Sequence, residues 1–228
     1  MHKILFVVAH PDDEILGAGA FIYDRAVAGD EIGVLVLNSC DTTRYEGNRA
    51  KIVDDLKKSQ SYVGVKRTWV GDFLDSNFHN ADHRKMVKMI ENVIRDFQPD
   101  IMFTQHPGDI NTDHYWTAAS AMEAFRLGQR GREDISPINA LYLMEVQSST
   151  DWVLNPSIKK FEPNTFVEVS EKAVAAKFLA LDTYENVIRP RPHPRSQEAI
   201  FSLPILRGGQ AGFKYAEAFE CVFRRESL

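Results

Sequence analysis

The chain has 228 residues, of which 44% are hydrophobic and 26% are charged, and its formal net charge is −5 at pH 7. This length suffices for one α/β domain, and the composition is ordinary for a globular protein. No block of five basic residues occurs, so we expect neither nucleic acid nor a membrane surface as a partner. The N-terminal apolar stretch is too short for a signal peptide or a membrane span, and we expect a cytoplasmic protein.

Segments typical of strands and helices alternate along the chain. Continuous apolar runs such as KILFVVA indicate strands buried on both faces, and the segments between them show helical spacing of apolar residues. The predicted strands are 3–9, 31–38, 66–70, 100–105, 140–146, 164–169 and 218–223, and the predicted helices are 13–28, 49–63, 83–97, 115–127 and 170–188, with one more before the last strand. This order predicts a Rossmann-like three-layer αβα sandwich with a mostly parallel sheet, folded as a single domain over residues 1–228.

A first polar cluster, HPDDE (10–14), follows the first predicted strand directly. Acids in the first turn of a helix complement its positive end, so the cluster has an explanation without any ion. Alternatively, His10 and Asp13 stand three residues apart in a tight turn and can share a metal ion. Asp12 would then point elsewhere and could act on a bound water molecule, whereas we expect Glu14 to fix the loop.

A second polar cluster follows the fourth predicted strand. The stretch HPGDINTDH supplies His106, Asp109, Asn111, Asp113 and His114. Ligands in such sheets bind outside the carboxyl ends of the strands, so both clusters are expected at the same edge. Two histidines and one carboxylate from two strand ends match a catalytic zinc site that keeps one position open for water.

These two motifs resemble those of the LmbE/PIG-L family of zinc-dependent de-N-acetylases. AHPDDE is the specific motif, and HPGDINTDH lies about a hundred residues after it. Softer similarities in MEVQSSTDW, EPNTFVEVS, RPHPRSQEAI and RGGQAGFKYAEAFE extend the likeness over nearly the whole chain. The resemblance implies a Rossmann-like fold and a metal-dependent amidohydrolase, most often one that removes an acetyl group from an N-acetylglucosamine-type sugar.

The resemblance also implies a role for individual residues. It makes His10, Asp13 and His114 the ligands of Zn²⁺. It makes Asp12 the general base that acts on zinc-bound water. Asp113, directly before a ligand, is expected to orient groups within the site, as carboxylates behind metal ligands commonly do.

One position departs from the family pattern. Many relatives carry a histidine three residues before the last zinc ligand, where it can stabilise the oxyanion, but this chain has Asn111. An asparagine can donate a hydrogen bond but carries neither charge nor a transferable proton, so His106 and His193 are the candidates to replace it. In some relatives a C-terminal histidine reaches the site from a neighbouring subunit, and we expect a homo-oligomer. Alternatively, His193 and Arg195 only shape a proline-rich turn.

Substrate contacts are expected from loops at the same edge of the sheet. Relatives hold their substrate with an arginine after the second strand, and Arg44 and Arg49 are near that place, although neither aligns cleanly. Asp75 and Asn77 follow the third strand and are candidates to bind sugar hydroxyls, or else to cap a turn. The expected partner is a small N-acetylated sugar or sugar conjugate, with free sugar, nucleotide sugar and glycoside all open.

Three other functions remain open from the residues. Gly17-Ala18-Gly19 resembles part of a nucleotide-binding G-x-G-x-x-G loop, but Ile22 takes the place of the third glycine. Paired acids would suit a carboxylate-dependent glycosidase or a magnesium phosphoesterase, although the histidines favour zinc. A non-catalytic metal-binding module would keep the same residues around a closed structural site.

Overall fold

The computed structural model describes residues 1–40, 48–131 and 134–226. The described residues form β1 (Lys3–Val8), α1 (Asp13–Val27), β2 (Glu31–Cys40), α2 (Arg49–Val63), β3 (Arg67–Leu74), α3 (His83–Phe97), β4 (Ile101–Gln105), α4 (Thr112–Phe125), β5 (Ala140–Met144), β6 (Thr165–Glu168), α5 (Glu171–Leu181), α6 (Gln197–Ala211) and β7 (Ala216–Arg224). Within these ranges no helix has the length and apolar character needed to cross a membrane.

The described strands form one sheet in the order β3-β2-β1-β4-β5-β7-β6. The first five in this order run parallel, and β7 lies antiparallel between β5 and β6. From β1 the chain adds β2 and then β3 on one side, and it then returns to add β4 and β5 on the other side of β1. This reversal of direction leaves a crevice between the carboxyl ends of β1 and β4. The predicted α/β class with a mostly parallel sheet is confirmed, whereas a single domain over 1–228 stays a prediction.

Helices cover both faces of this sheet. Along β1, Ile4, Phe6 and Val8 belong to a core shared with α1, α2, α5 and α6, while Leu5 and Val7 belong to a second core shared with α3 and α4. β1 is therefore buried on both faces, as its continuous apolar run predicts.

The largest error in the predicted elements concerns the helix at 170–188. Helix α5 ends at Leu181, and residues 182–188 form turns that include Asn186 in the left-handed region at φ 58°. Smaller shifts occur at other boundaries; for example, β3 extends to Leu74, and α4 begins at Thr112 because Asn111 caps it. The turn after α5 matters for function, because it carries the following segment over the edge of the sheet where β1 and β4 end.

Candidate active site

The turn between β1 and α1 directs one carboxylate away from the helix. Asp12 occupies the N-cap position of α1 with φ 104° and ψ −23°, a left-handed conformation that is uncommon for a residue other than glycine. An aspartate at this position usually accepts a hydrogen bond from the first turn, yet the Asp12 side chain makes no such capping bond. The side chain lines a cavity instead. Strained backbone of this kind is typical of functional sites.

Three side chains from the two strand ends converge beside Asp12. His10 Nδ1 lies 3.3 Å from Asp13 Oδ2, and His114 Nε2 lies 3.4 Å from Asp13 Oδ1. One ligand atom from each of the three residues lies within 4.8 Å of the others, so the set is close enough to bind a single ion. The structure thus brings the three predicted ligands together.

The imidazole of His114 is fixed from behind by a carboxylate. Its Nδ1 donates to Asp109 Oδ2 at 2.9 Å, which directs Nε2 toward Asp13. Asp109 is itself held, because it accepts hydrogen bonds from Asn111 N at 2.8 Å and from Thr150 Oγ1 at 3.0 Å. A carboxylate on the second ring nitrogen is the usual support of a metal-binding histidine.

His10 is supported in the same way on its other nitrogen. Its Nε2 lies 3.2 Å from Asp113 Oδ2 and 3.1 Å from Asp75 Oδ1. These three residues are also close enough to bind an ion, but Asp113 already accepts hydrogen bonds from Ser76 N at 2.6 Å and Phe78 N at 3.0 Å. The Asp113 carboxylate is thus held by two backbone N–H groups against the His10 ring, and its orienting role stays a prediction.

The neighbouring acids Asp13 and Glu14 lie in different surroundings, and each accepts a hydrogen bond from a different glutamine. Gln105, the last residue of β4, donates from Nε2 to Asp13 Oδ2 at 2.6 Å, while its Oε1 accepts from Ala9 N at 3.0 Å. Glu14 is buried and accepts from Gln60 Nε2 at 2.8 Å. Burial raises the pKa of Glu14 to about 8, so this side chain is neutral at pH 7 and is not suited to bind a cation.

The charges of the ligand set depend on one another. Burial lowers the pKa of His114, but the charge on Asp13 and a hydrogen bond to Asp109 outweigh it and raise the value to about 9. Burial is likewise outweighed at His10 by hydrogen bonds to Asp113, Asp13 and Asp75, and its pKa is raised well above the ordinary value. In the chain by itself, two imidazolium ions therefore balance the carboxylates, and a metal ion would replace those protons.

These groups line a cavity of about 760 Å³. Its walls come from the turn after β1, the loops after β3, β4 and β5, and a C-terminal segment. The lining residues are His10, Pro11, Asp12, Asp13, Leu16, Ile52, Asp75, Ser76, Asn111, His114, Val146, Gln147, Ser148, Ser149, Asn186, Ile188, Arg189, Pro190 and Arg195. A cavity of this size suits a small-molecule substrate.

Among the predicted auxiliary residues, Asp75 and Asn111 line this cavity. The Oδ1 atom of Asn111 accepts from Asp113 N at 3.0 Å and so caps α4. Because the carbonyl oxygen is engaged, the amide nitrogen is the end of Asn111 that remains to donate to a ligand.

His106 and His193 do not line the cavity, so a direct role within this chain is not supported for either. His106 is buried, with Nε2 3.5 Å from Glu220 Oε1 and its ring against Phe161. His193 lines a separate cavity of about 450 Å³. His106 was a candidate because it lies in the second polar cluster, but neighbouring residues on a loop can face opposite sides. His193 was a candidate to reach the site from a neighbouring subunit, and this stays a prediction.

The predicted substrate contacts are also revised. Arg49 is exposed at the start of α2 and does not line the cavity. Asn77 does not line the cavity; its side chain accepts from Asn80 Nδ2 at 2.7 Å and makes no capping bond to the backbone of the turn that it precedes. Arg44 lies outside the described residues.

Some residues of the site carried no assigned role from the sequence. Arg195 lines the cavity, and its Nη1 lies 3.9 Å from Asp12 Oδ2. Asp109 and Gln105 hold two of the ligand candidates. Asp109 could have been identified, because it belongs to the second polar cluster. No sequence motif indicated Gln105, or an arginine about 180 residues after HPDDE, as part of the site.

The glycines of the GAG stretch have a packing explanation. Both lie inside α1, where a Cβ atom on Gly17 would come within 2.6 Å of Met144 Sδ and one on Gly19 within 2.9 Å of the Lys177 side chain. They allow close contact with β5 and α5 rather than forming a loop around a phosphate. The nucleotide-binding alternative therefore finds no support in this stretch.

Comparison with known proteins agrees with this picture. The chain is 25% identical to diacetylchitobiose deacetylase from Thermococcus kodakarensis over 96% of this chain and 83% of that protein. It is similar in structure to the conserved protein TT1542 of Thermus thermophilus, with a TM-score of 0.75, 20% identity and coverage of 100% and 98% of the two chains. It is also similar to GalB, the 4-carboxy-2-hydroxymuconate hydratase of Pseudomonas putida, with a TM-score of 0.71, 20% identity and coverage of 100% and 99%.

The two structural similarities, each at 20% identity, show a shared fold alone, and one of these two proteins is named as a hydratase. A stronger assignment comes from the sequence, because residues 5–125, more than half of the chain, match the family described as PIG-L, GlcNAc-PI de-N-acetylase. The chain therefore belongs to the PIG-L family, as the resemblance of its two motifs predicts.

Proposed function

We propose that this chain is a zinc-dependent amidohydrolase that removes the N-acetyl group from an amino sugar or a sugar-containing metabolite. The observation that carries the proposal is the convergence of His10, Asp13 and His114 with Asp12 at one cavity. Membership of a de-N-acetylase family and the similarity to a diacetylchitobiose deacetylase support the same reaction.

The donor set fits zinc. Two imidazoles and one carboxylate are a common catalytic zinc set, and both imidazoles have a carboxylate on their second nitrogen. Imidazole ligands favour zinc over magnesium, which prefers oxygen ligands. Zinc bound by these residues would polarise the amide carbonyl and acidify a water molecule.

The side chains of the chain itself then carry the proton transfers. Asp12 accepts a proton from the water molecule that attacks the amide carbon. The protonated Asp12 returns this proton to the amine nitrogen as the C–N bond breaks, which gives acetate and a free amino sugar. Asn111 is the proposed donor to the carbonyl oxygen, and Asp75 is the proposed contact to sugar hydroxyls, since both line the cavity.

The proposal is tested by acetate release from a panel of N-acetyl sugars and nucleotide sugars. We expect release by the zinc-loaded protein and none after the metal has been stripped, with recovery when zinc is added back. A hydratase adds water without releasing acetate, so this assay separates it from a deacetylase of the same fold. Absence of acetate across the panel, or equal release by the stripped protein, would contradict the proposal.

Two neighbouring substitutions provide a matched control for this test. Asp13→Ala should lower both the zinc content and the release of acetate to background, because it removes a ligand. Glu14→Gln should leave both near the wild-type level, because Glu14 is already neutral at pH 7 and faces Gln60. Equal effects of the two substitutions would argue against the assigned ligand set.

The same panel addresses the alternatives. A glycosidase would release reducing sugar and a phosphoesterase would release phosphate, without acetate. A structural metal module would release nothing, and a chelator would unfold it rather than only inactivate it. Cytoplasmic location and homo-oligomeric assembly stay predictions, to be checked by fractionation and by light scattering.

A further inference from the structure

The proline-rich segment 189–196 forms one wall of the cavity and places a cation beside the proposed base. Arg195 lines the cavity together with the three ligand candidates, and its side chain is 15% exposed. Its Nη1 atom lies 3.9 Å from Asp12 Oδ2. The other arginine that lines this cavity among the described residues, Arg189, is exposed and donates from Nε to Asn186 O.

The backbone on both sides of Arg195 is held by hydrogen bonds. Arg195 O accepts from Arg189 N at 3.1 Å, and Arg195 N donates to His193 Nδ1 at 3.0 Å. The next residue, Ser196, caps α6 by accepting from Ala199 N at 3.3 Å. The position of the Arg195 Cα atom is therefore set by the segment.

The segment is also tied to the sheet. Gln147, in the loop after β5, donates from Nε2 to Ala199 O at 3.2 Å and to Pro194 O at 3.4 Å. Strand β5 pairs with β4, and β4 leads to the loop and helix that carry His114. The cavity wall with Arg195 is therefore connected to the ligand candidates through the paired strands of the sheet. Asp12 follows β1, which pairs with β4, so three paired strands and a capped helix set the backbone of Arg195 relative to that of Asp12.

Charge and shape suit Arg195 to hold a carboxylate. A guanidinium stays charged over the whole working pH range and presents five N–H donors in one plane, so its contact with Asp12 leaves donors for other oxygens. The Asp12 side chain does not cap the helix, and its backbone in the left-handed region directs it to the cavity wall where Arg195 lies. A carboxylate that transfers protons must also keep its direction within a few tenths of an ångström to remain efficient.

We propose that Arg195 is a positioning residue that holds the Asp12 carboxylate toward the bound substrate. We propose further that His193 acts through Arg195, because His193 Nδ1 accepts the backbone N–H of Arg195. The proposal rests on the function proposed above and adds a residue on which the proton transfer depends. It also gives His193 a role at the site without requiring this side chain to reach the cavity.

The direct test compares three variants by kcat and KM at saturating zinc. Arg195→Met should lower kcat by roughly 10–100-fold and change KM little, because a misplaced base slows the chemical step more than binding. Arg195→Lys should recover part of the loss, since it keeps the charge but not the planar donors. Arg191→Met is the matched control, because Arg191 is exposed on the same segment and lines only the separate cavity.

A second arm asks whether Arg195 acts through Asp12. In the Asp12→Asn background, Arg195→Met should cost little further activity, because the group that it positions no longer transfers a proton. Multiplicative losses in the double variant, or equal losses for Arg195→Met and Arg191→Met, would overturn the proposal. Zinc content and thermal unfolding are measured for each variant, and if Arg195→Met loses either, Arg195→Lys takes its place in the comparison with Arg191→Met.

The last arm separates this proposal from the proposed function. If the wild-type protein releases no acetate from the panel, the function fails, and Arg195 is then judged from crystal structures of wild type and Arg195→Met. A displaced Asp12 carboxylate in the variant supports the positioning role. An unchanged Asp12 side chain overturns it, whatever the reaction of the enzyme is.

Discussion

Helix α1 touches two buried groups of charged side chains, one at its middle and one at its first turn. At the middle, Ala18 departs from helical geometry with φ −149° and ψ 18°. Lys177 Nζ donates to Leu16 O at 2.8 Å and to Glu217 Oε1 at 2.7 Å, and Glu217 Oε2 accepts from Phe21 N at 2.7 Å. The pair is buried and each of its charges has a partner from the chain.

At the first turn, the charges are balanced in a different way. Asp12 and Asp13 lie beside a cavity of about 760 Å³, and the balance depends on protons held by His10 and His114. Protons on imidazoles can be exchanged for a metal ion, whereas Lys177 and Glu217 already neutralise each other through an ion pair at 2.7 Å. One cluster is thus neutralised within the chain, and we propose that the other is completed by a metal ion.

The largest effect is expected at the cluster of His10, Asp12, Asp13 and His114 beside the cavity, which we call the open cluster. Asp12→Asn should lower kcat by about 10²–10⁴-fold, because loss of a general base typically has this cost. Zinc content should stay at the wild-type level, since Asp12 is not among the ligand candidates. Activity equal to wild type with full zinc occupancy would refute the role of Asp12, and loss of zinc would reassign it to the ligand set.

Substitutions in the closed cluster, formed by Lys177 and Glu217, should change the stability of the protein rather than its catalysis. Lys177→Met should lower the free energy of unfolding by about 3–5 kcal/mol, because it leaves the Glu217 carboxylate buried without a cation. Adding Glu217→Gln should recover part of this loss, since the amide oxygen still accepts from Phe21 N without carrying charge. Urea unfolding measures both variants, and an undiminished free energy for Lys177→Met would remove the distinction between the clusters.

Metal binding at the open cluster should be linked to protons. Because the pKa values of His10 and His114 are raised, to about 9 for His114, both rings are charged at neutral pH in the metal-free chain. Zinc must displace these protons, so affinity should rise with pH up to about pH 9, by roughly tenfold per pH unit for each proton released. Calorimetry in buffers of different ionisation enthalpy counts the protons. A count of zero would contradict the assigned ligands.

The smallest effect is expected for Asp109, the carboxylate that holds the second ring nitrogen of His114. Asp109→Asn keeps an acceptor for His114 Nδ1 but removes its charge, and it should weaken zinc affinity or activity by about 10–100-fold. The variant Asp54→Asn is a suitable comparison, because Asp54 is exposed on α2 and does not line the cavity. Zinc titration of both proteins distinguishes support of a ligand from a general loss of negative charge.

Much of the fold could be predicted because local pattern and tertiary structure agree. The apolar run at β1 and the helical spacing in α3 each indicate the element that forms. The meeting of HPDDE with the loop of His114 also follows from general rules, since parallel strands that neighbour each other end at the same edge.

Other parts depend on contacts that no local pattern contains. The end of α5 at Leu181 could not be read from residues that continue to show apolar spacing to position 188. The place of Arg195 depends on Gln147, on His193 and on the cap at Ser196, which act together only in the folded chain. His106 was misassigned because the sequence does not reveal which side of the loop faces Glu220.

The interruption of α1 at Ala18 has a practical consequence for protein engineering. The half of the helix before it is anchored to β4 through Asp13 and Gln105, and the interruption itself is clamped by Lys177 and Glu217. The far end is different, since Val27 is exposed and a side chain at Gly29 would meet no neighbouring atom. A reporter domain or purification handle spliced in after Val27 should therefore be accommodated without moving the metal ligands.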